Sequence, residues 1–209
     1  MARVLVAYAS KRGGTEGIAR MIAERLEERG VDADLAEVGR VKTAEGYDAV
    51  VLGSALYGGR WQRHAVRALK RVARAKARPP VWLFHSGPLG DEAADEPQAP
   101  PAKVERLADD IGADVVTFGG RLVEDADGFI AKAMVRNGKG GDWRDPEQIR
   151  GYADAVADGL GADVVTFGGR LEDDADGFIA RAMVRHGKGR GRSGSPDTPT
   201  VPISRPFLP

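Results

Sequence analysis

The chain has 209 residues, of which 42% are hydrophobic, and it contains no cysteine. This length can bury the core of one domain with residues left over. Lys and Arg number 31, as do Asp and Glu, so the net charge favours neither nucleic acid nor an anionic membrane as partner. Without thiols there is no disulfide framework and no cysteine-ligated metal. Any redox activity would therefore require a bound cofactor.

No apolar run approaches the ~20 residues that a membrane-spanning helix needs. The N-terminal apolar run ends at Ser10, which is too short for the apolar core of a signal peptide. We therefore expect a cytoplasmic protein without an integral membrane span.

The first strand and helix form the most informative part of the sequence. Residues 4–7 are an apolar run, typical of a parallel strand buried on both faces. A Gly/Ser/Thr loop leads directly into a helix whose buried stripe is Ile18, Ile22 and Leu26, and Gly30 ends it. Such a loop directs backbone N–H groups and the positive end of the helix dipole at one point. It predicts a ligand that carries phosphate.

The glycine spacing of this loop disfavours two common nucleotide sites. The P-loop pattern GxxxxGK[ST] is absent, and Gly13, Gly14 and Gly17 do not have the GxGxxG spacing of a dinucleotide fold. The alternative is a glycine-rich turn that only connects a strand to a helix.

The later elements continue to alternate between strand and helix. The predicted strands are Ala33 to Val38, Ala49 to Ser54, Val81 to His85 and Val115 to Phe118, and the predicted helices are about Gln62 to Ala77, Lys103 to Ile111 and Pro146 to Leu160. Five βα units with right-handed crossovers give an α/β fold, a doubly wound parallel five-stranded sheet with helices on both faces. Ligands of such sheets bind beyond the carboxyl ends of the strands.

Two further loops at that edge have unusual composition. After the third strand, Tyr57 and Trp61 lie among glycines, and exposed aromatic rings favour a flat partner. After the fourth strand, SGPLG is a stiff turn with backbone donors. A phosphate cradle flanked by these loops fits a phosphorylated planar ring such as flavin mononucleotide (FMN).

The segments YASKRGGTEGIA, VVLGSALYGGRW and VWLFHSGPLG, in this order and spacing, resemble the three flavin-binding loops of flavodoxin-like domains. The resemblance covers roughly residues 1 to 160. Because the long insert Gly119 to Asp145 follows the fifth strand, the chain is most similar to flavodoxin-domain proteins related to menaquinone-dependent protoporphyrinogen oxidase. The resemblance implies strand order 2-1-3-4-5 and non-covalent FMN. It also implies electron transfer between a donor and an acceptor, a quinone or a redox protein.

The resemblance further implies the residues that hold FMN. The phosphate would be held by Ser10, Lys11, Arg12, Gly13, Gly14 and Thr15, one side of the isoalloxazine ring by Ala55, Leu56, Tyr57 and Gly58, and the other by Ser86, Gly87, Pro88, Leu89 and Gly90. Arg12 is a departure, because flavodoxins have a hydroxyl residue there. Its guanidinium either binds the phosphate or points outward.

Other chemistry-bearing residues have simpler interpretations. His85 is either a proton donor beside the ring or part of the scaffold, and we expect the scaffold role. Trp61 either covers the flavin edge or caps the next helix, and His64 is expected on the surface. The acidic cluster around Asp125 is interpreted as surface charge, not a metal site. No catalytic residue is predicted.

An internal repeat follows the predicted domain of residues 1–160. The segment Gly112 to Gly140 returns at Gly161 to Gly189 with differences only at positions 123, 124, 132 and 137 of the first copy. Residues 161–189 thus duplicate the fifth strand and insert, and the Pro/Gly-rich residues 190–209 are expected to be disordered. The copied strand, Val164 to Phe167, could replace the first copy, extend the sheet or pair with another molecule as a homo-oligomer.

Two functions fit the sequence. One is an FMN-dependent oxidoreductase, with protoporphyrinogen as a substrate hypothesis that rests on the insert. The alternative is a flavin-free adaptor module of the same fold. A phosphoryl receiver is excluded, because the ends of the first and third strands lack an acidic cluster.

Overall fold

The computed structural model describes residues 1–75, 77–87, 98–122 and 140–161. The strands are β1 (Arg3–Ala9), β2 (Asp32–Glu37), β3 (Ala49–Tyr57), β4 (Arg60–Trp61), β5 (Val81–Ser86), β6 (Val115–Phe118), β7 (Arg121–Leu122) and β8 (Gly141–Asp142). The helices are α1 (Gly14–Glu28), α2 (Arg63–Ala73), α3 (Ala102–Ile111) and α4 (Pro146–Gly161).

The five longer strands form a parallel sheet in the order β2-β1-β3-β5-β6. This is the predicted order 2-1-3-4-5, because β4 only pairs antiparallel with the end of β3 and is not a further strand of the parallel series. The central strands β1, β3 and β5 are buried on both faces, which explains their unbroken apolar runs. The predicted α/β flavodoxin-like architecture is confirmed.

Helices cover both faces of the sheet. The predicted stripe of α1, Ile18, Ile22 and Leu26, is fully buried together with residues of α4. Edge-to-face contacts join the rings of Phe118 and Tyr152, with centroids 5.5 Å apart. The residues facing α2 and α3 form a second core. Each fully buried aliphatic or aromatic side chain contributes about 1.5–3 kcal/mol, so the two cores hold the sheet edge, and hence its loops, in place.

Helices α1 and α4 are also joined by ion pairs. Arg25 binds Asp154 through Nε at 2.9 Å and Nη2 at 3.1 Å, and Arg29 Nη1 lies 2.7 Å from the same carboxylate. The hydrogen bonds from Arg25 hold the pKa of the Asp154 carboxyl below its ordinary value. Cations on this face of the molecule therefore have carboxylate partners.

The crossover from β2 to β3 differs from the expected count of five βα units, although none of the four predicted helices falls in it. Residues 38–48 contain no helix, so one of the five predicted βα units lacks its helix. The segment is short, it contains Gly39 and Gly46, and Gly46 has φ +83°, which interrupts helical geometry. A recess of about 410 Å³ with aliphatic walls remains beside this crossover. Helix α2 also ends at Ala73, before the predicted Ala77.

Several predictions lie outside the described residues. These are the loop residues Pro88, Leu89 and Gly90, most of the insert with its acidic cluster, the duplicated copy after residue 161 with its strand at 164–167, and the tail 190–209. The division into a domain of 1–160 and an appended repeat therefore stays a prediction. None of the described helices combines the length and apolar character needed to cross a lipid bilayer.

Candidate functional site

The loop after β1 leads into the N-terminus of α1 without a side-chain cap. Its N-cap residue, Gly13, has φ +75°, a left-handed conformation that favours glycine. The N–H of Gly17 is the first to find a helical acceptor, the carbonyl of Gly13 at 2.9 Å. The N–H groups before it have no helical acceptor. This end of α1 therefore presents donors and the positive end of the dipole to an anion.

A buried hydroxyl pair ties this loop to the end of β5. Thr15 Oγ1 lies 2.8 Å from Ser86 Oγ, and the two residues are 1% and 4% exposed. The bond connects the first turn of α1 with the strand whose following loop was predicted to line the ring. It fixes the relative position of two of the three predicted loops.

The third loop is a tight hairpin that carries an aromatic ring. Tyr57 pairs with Arg60 across Gly58 and Gly59, which have φ +56° and +69°. Positive φ at both central residues matches the right-handed strand twist but is costly for residues other than glycine. Lys11 Nζ lies 5.0 Å and the Arg12 guanidinium carbon 5.6 Å from the centroid of the Tyr57 ring. These cation–π contacts hold the loop after β1 against the hairpin.

The three loops line one cleft of about 580 Å³ at the carboxyl edge of the sheet. Its lining includes most of the predicted residues, namely Ser10, Arg12, Gly14, Thr15, Ala55, Leu56, Tyr57, Gly58, Ser86 and Gly87. Lys11 and Gly13 belong to the loop but not to the lining, and Pro88, Leu89 and Gly90 lie outside the described residues. The predicted turns thus converge on one space.

Five further lining residues were not predicted: Gly59, Gln98, Gly120, Arg121 and Leu122. A Cβ atom on Gly14 would lie 3.5 Å from the backbone and Cβ of Arg121, so this segment packs on the start of α1. A signal was present, since the loop after the fifth strand also lies at the carboxyl edge and begins with two glycines.

His85 belongs to the scaffold. It is fully buried, its Nδ1 accepts a hydrogen bond from Trp61 Nε1 at 3.3 Å, and its Nε2 lies 2.8 Å from Thr117 Oγ1 and 3.1 Å from the Gln98 carbonyl. Because Nδ1 accepts, the proton of the neutral ring is on Nε2. Burial lowers the pKa of His85 to about 4, so the ring is neutral at pH 7.

The structure also shows where Trp61 and His64 lie. Trp61 is 5% exposed and packs in the core on the α2 side, so it neither lines the cleft nor caps α2. His64 is exposed, as predicted. Among the described residues, no group of three or more His, Asp or Glu is placed to hold a metal ion.

An open parallel sheet with a donor-rich loop, an aromatic hairpin and a cleft at its switch point defines the class of flavodoxin-like α/β proteins. A family model described as flavodoxin domain matches residues 5–142. The chain belongs to the flavodoxin domain family, and FMN is the cofactor that this membership supports.

Solved structures agree with the family. A flavodoxin from the domain Archaea shares 16% identity with a TM-score of 0.53, covering 76% of this chain and 99% of its own. Flavodoxin 2 from Bacillus cereus shares 23% identity with a TM-score of 0.51, covering 75% and 99%. A flavo di-iron protein from Thermotoga maritima shares 14% identity with a TM-score of 0.53, covering 76% of this chain but 36% of its own. At these identities the likeness concerns the fold.

Proposed function

We propose that this chain is an electron-transfer flavoprotein that holds FMN non-covalently in the cleft. The observation that carries the proposal is the convergence of the loops after β1, β3 and β5 on one space of about 580 Å³. At one end of this space lies a helix N-terminus without a side-chain cap. At another lies the hairpin with Tyr57. A phosphate and a planar ring need these two environments.

The phosphate end is the more specific half of the proposal. The N–H groups of the loop that starts at Ser10 and of the first turn of α1 would receive the phosphate oxygens. Arg12 and Arg121 both line the cleft and would add charge-assisted bonds. Lys11 contributes through the long-range field, since it is exposed and outside the lining.

The ring end is formed by two loops in close contact. A Cβ atom on Gly87 would lie 2.8 Å from Leu56 Cβ, so glycine allows the loop after β5 to approach the hairpin strand. Ala55, Leu56, Tyr57 and Gly58 would contact one side of the ring, and Ser86 and Gly87, continued by Pro88, Leu89 and Gly90, the other.

The flavin supplies the redox chemistry when it is bound. The residues of the chain bind it, orient it and exclude water from its buried side. His85 supplies no proton at neutral pH, because it is buried, bonded on both ring nitrogens and neutral. We therefore propose electron transfer in which His85 acts as neither acid nor base.

The test compares FMN with riboflavin, which lacks the phosphate. We expect flavin absorption bands in the purified protein, and apoprotein that binds FMN at least about tenfold more tightly than riboflavin because of charge-assisted bonds. Arg12→Gln should weaken FMN but not riboflavin binding. Lys11→Gln is the matched control: it also removes one charge and a cation–π contact with Tyr57, but outside the lining, and should weaken FMN binding much less. Absence of both flavin bands and FMN uptake on titration would favour the flavin-free adaptor.

A finer proposal names a substrate, protoporphyrinogen, with a quinone as electron acceptor. It rests on the insert between Gly119 and Asp145, whose two ends pair as β7 and β8, and Arg121 and Leu122 of β7 line the cleft. The insert thus begins and ends beside the cofactor site. Purified protein should accelerate protoporphyrinogen oxidation with menadione above an FMN-only control; no acceleration would rule this substrate out.

A further inference from the structure

The charge of the chain is unevenly distributed. Residues 49–90 contain eight Lys and Arg and no Asp or Glu, although the whole chain has a formal net charge of zero. Five of these cations are exposed on α2 and at its ends: Arg60, Arg63, Arg67, Arg71 and Arg74. Steps of three or four positions place the helical ones on one face. We call these five residues the α2 basic stripe.

The α2 basic stripe has no carboxylate partner in the described part of the chain. Arg71 donates to the carbonyls of Val41 and Lys42 at 3.3 and 3.2 Å, whereas the ion pairs among described residues involve other arginines. On the opposite face, Arg25 and Arg29 each bind carboxylates. Like charges at helical spacing repel, so the stripe is arranged for a partner of opposite charge.

A polar recess lies within this surface. Its volume is about 350 Å³, and its lining includes Lys42, His64, Arg67 and Arg71 but no Asp or Glu. A recess of this composition fits the carboxylate side chain of a partner, because a carboxylate accepts bidentate bonds from guanidinium groups.

The stripe starts at the cleft. Arg60 follows directly on Gly58 and Gly59, which line it, and pairs with Tyr57. From there α2 leads away from the cleft edge, and at 1.5 Å per residue Arg74 lies about 16 Å along the helix from Arg63. A partner that exchanges electrons with a cofactor in the cleft must cover its mouth, and would therefore contact the Arg60 end.

We infer that the α2 basic stripe, at its cleft end from Arg60 to Arg67, is the docking surface for an acidic redox protein, an inference that rests on the proposed function. Transient redox encounters bury small interfaces, under about 1,200 Å², and opposite charges on the two surfaces speed their association. One exposed helix that ends at the cofactor cleft has the size and position for such an encounter. A nucleic acid or a membrane would have no reason to favour the cleft end of the stripe.

The test uses an oxidised plant-type ferredoxin as the acidic probe and two charge-reversal variants of the holoprotein. The cleft-end variant is Arg60→Glu with Arg63→Glu, and the matched control is Arg74→Glu with Arg78→Glu, which changes the net charge equally on exposed residues. Titration calorimetry at 0.15 M salt gives the affinity, and amide NMR shifts locate the contact. The two ends of the stripe are farther apart than the Debye length of about 8 Å.

We expect ferredoxin binding that weakens with salt and amide NMR shifts centred on residues 60–67. The affinity should fall about tenfold in the cleft-end variant and less than threefold in the control. No ferredoxin binding, or equal losses in both variants, would overturn the inference. Tighter binding of a 20-nucleotide single strand or of phosphatidylglycerol vesicles, lost equally in both variants, would assign the stripe to those partners instead.

One further variant tests whether acidic residues of this chain occupy the α2 basic stripe. Neutralising Asp91, Glu92, Asp95 and Glu96 as D91N/E92Q/D95N/E96Q should leave ferredoxin affinity within threefold; a tenfold gain would show that these residues compete for the stripe and would overturn the inference. Failure of the proposed function has a separate signature. The protein would then take up no FMN, while cleft-end-dependent ferredoxin binding would still support an acidic protein partner.

Discussion

Replacement of Thr15 by valine tests the buried hydrogen bond between the first turn of α1 and the end of β5. Valine keeps the shape of the side chain but removes the hydroxyl that lies 2.8 Å from Ser86 Oγ. Both residues are at most 4% exposed, so Ser86 loses a partner that water does not readily replace. Loss of one bond with a buried group left unpaired costs about 1–3 kcal/mol. Because Ser86 also lines the cleft, we expect the lower half of this range.

The assay is urea unfolding of the apoprotein, followed by far-ultraviolet circular dichroism. Thr15→Val should lower the unfolding midpoint without changing the m-value, and a double-mutant cycle with Ser86→Ala should give a coupling of about 1 kcal/mol. Thr43→Val is the matched control, since its hydroxyl accepts from the Glu45 N–H on the exposed crossover. Unchanged stability combined with weaker FMN but not riboflavin binding would refute the reasoning, because the hydroxyl would then serve the phosphate.

Three further outcomes are expected. Burial lowers the pKa of His85 to about 4, whereas the ordinary pKa of histidine is about 6.5. The stability that the neutral ring contributes is therefore complete above about pH 6.5 and falls by about 3 kcal/mol as the pH drops from there through 4. NMR of the ring should show it neutral at pH 5. Gly53→Ala should destabilise the apoprotein by about 1–3 kcal/mol because its Cβ would overlap the Phe84 ring, and Phe84→Leu should recover part of this loss in urea unfolding. Asp154→Asn should lower the unfolding midpoint more at 20 mM than at 500 mM salt, because it breaks the pairs with Arg25 and Arg29.

The parallel sheet could be predicted because its central strands are buried on both faces and therefore appear as apolar runs. The β2–β3 crossover could not be predicted in the same way. Right-handed βα units are the general rule, but residues 38–48 are too few and too rich in turn residues to form a helix. A rule about connections predicted the path of the chain, and local residues decided whether that path is helical.

The candidate site was predictable where one loop carries its own signal. The loop containing Gly13 and the hairpin at Tyr57 have compositions that indicate their backbone geometry. Gln98 carries no such signal, and for Arg121 the only signal is the pair of glycines before it. Both residues reach the cleft through tertiary packing, Arg121 against Gly14 from more than 100 positions away in the sequence. The partner of Thr15 is hidden for the same reason.

Because β7 and β8 pair with each other and not with the parallel sheet, the length of the insert between them does not affect the sheet. Arg121 and Leu122 face Asp142 and Gly141, and the Gly120 carbonyl accepts the Trp143 N–H at 3.0 Å. Both ends of residues 123–139 are thereby anchored side by side, independently of what the intervening residues do. This position can accept longer, shorter or exchanged sequences at little cost to folding, so the rim of the cleft next to Arg121 and Leu122 can be altered without disturbing the parallel sheet.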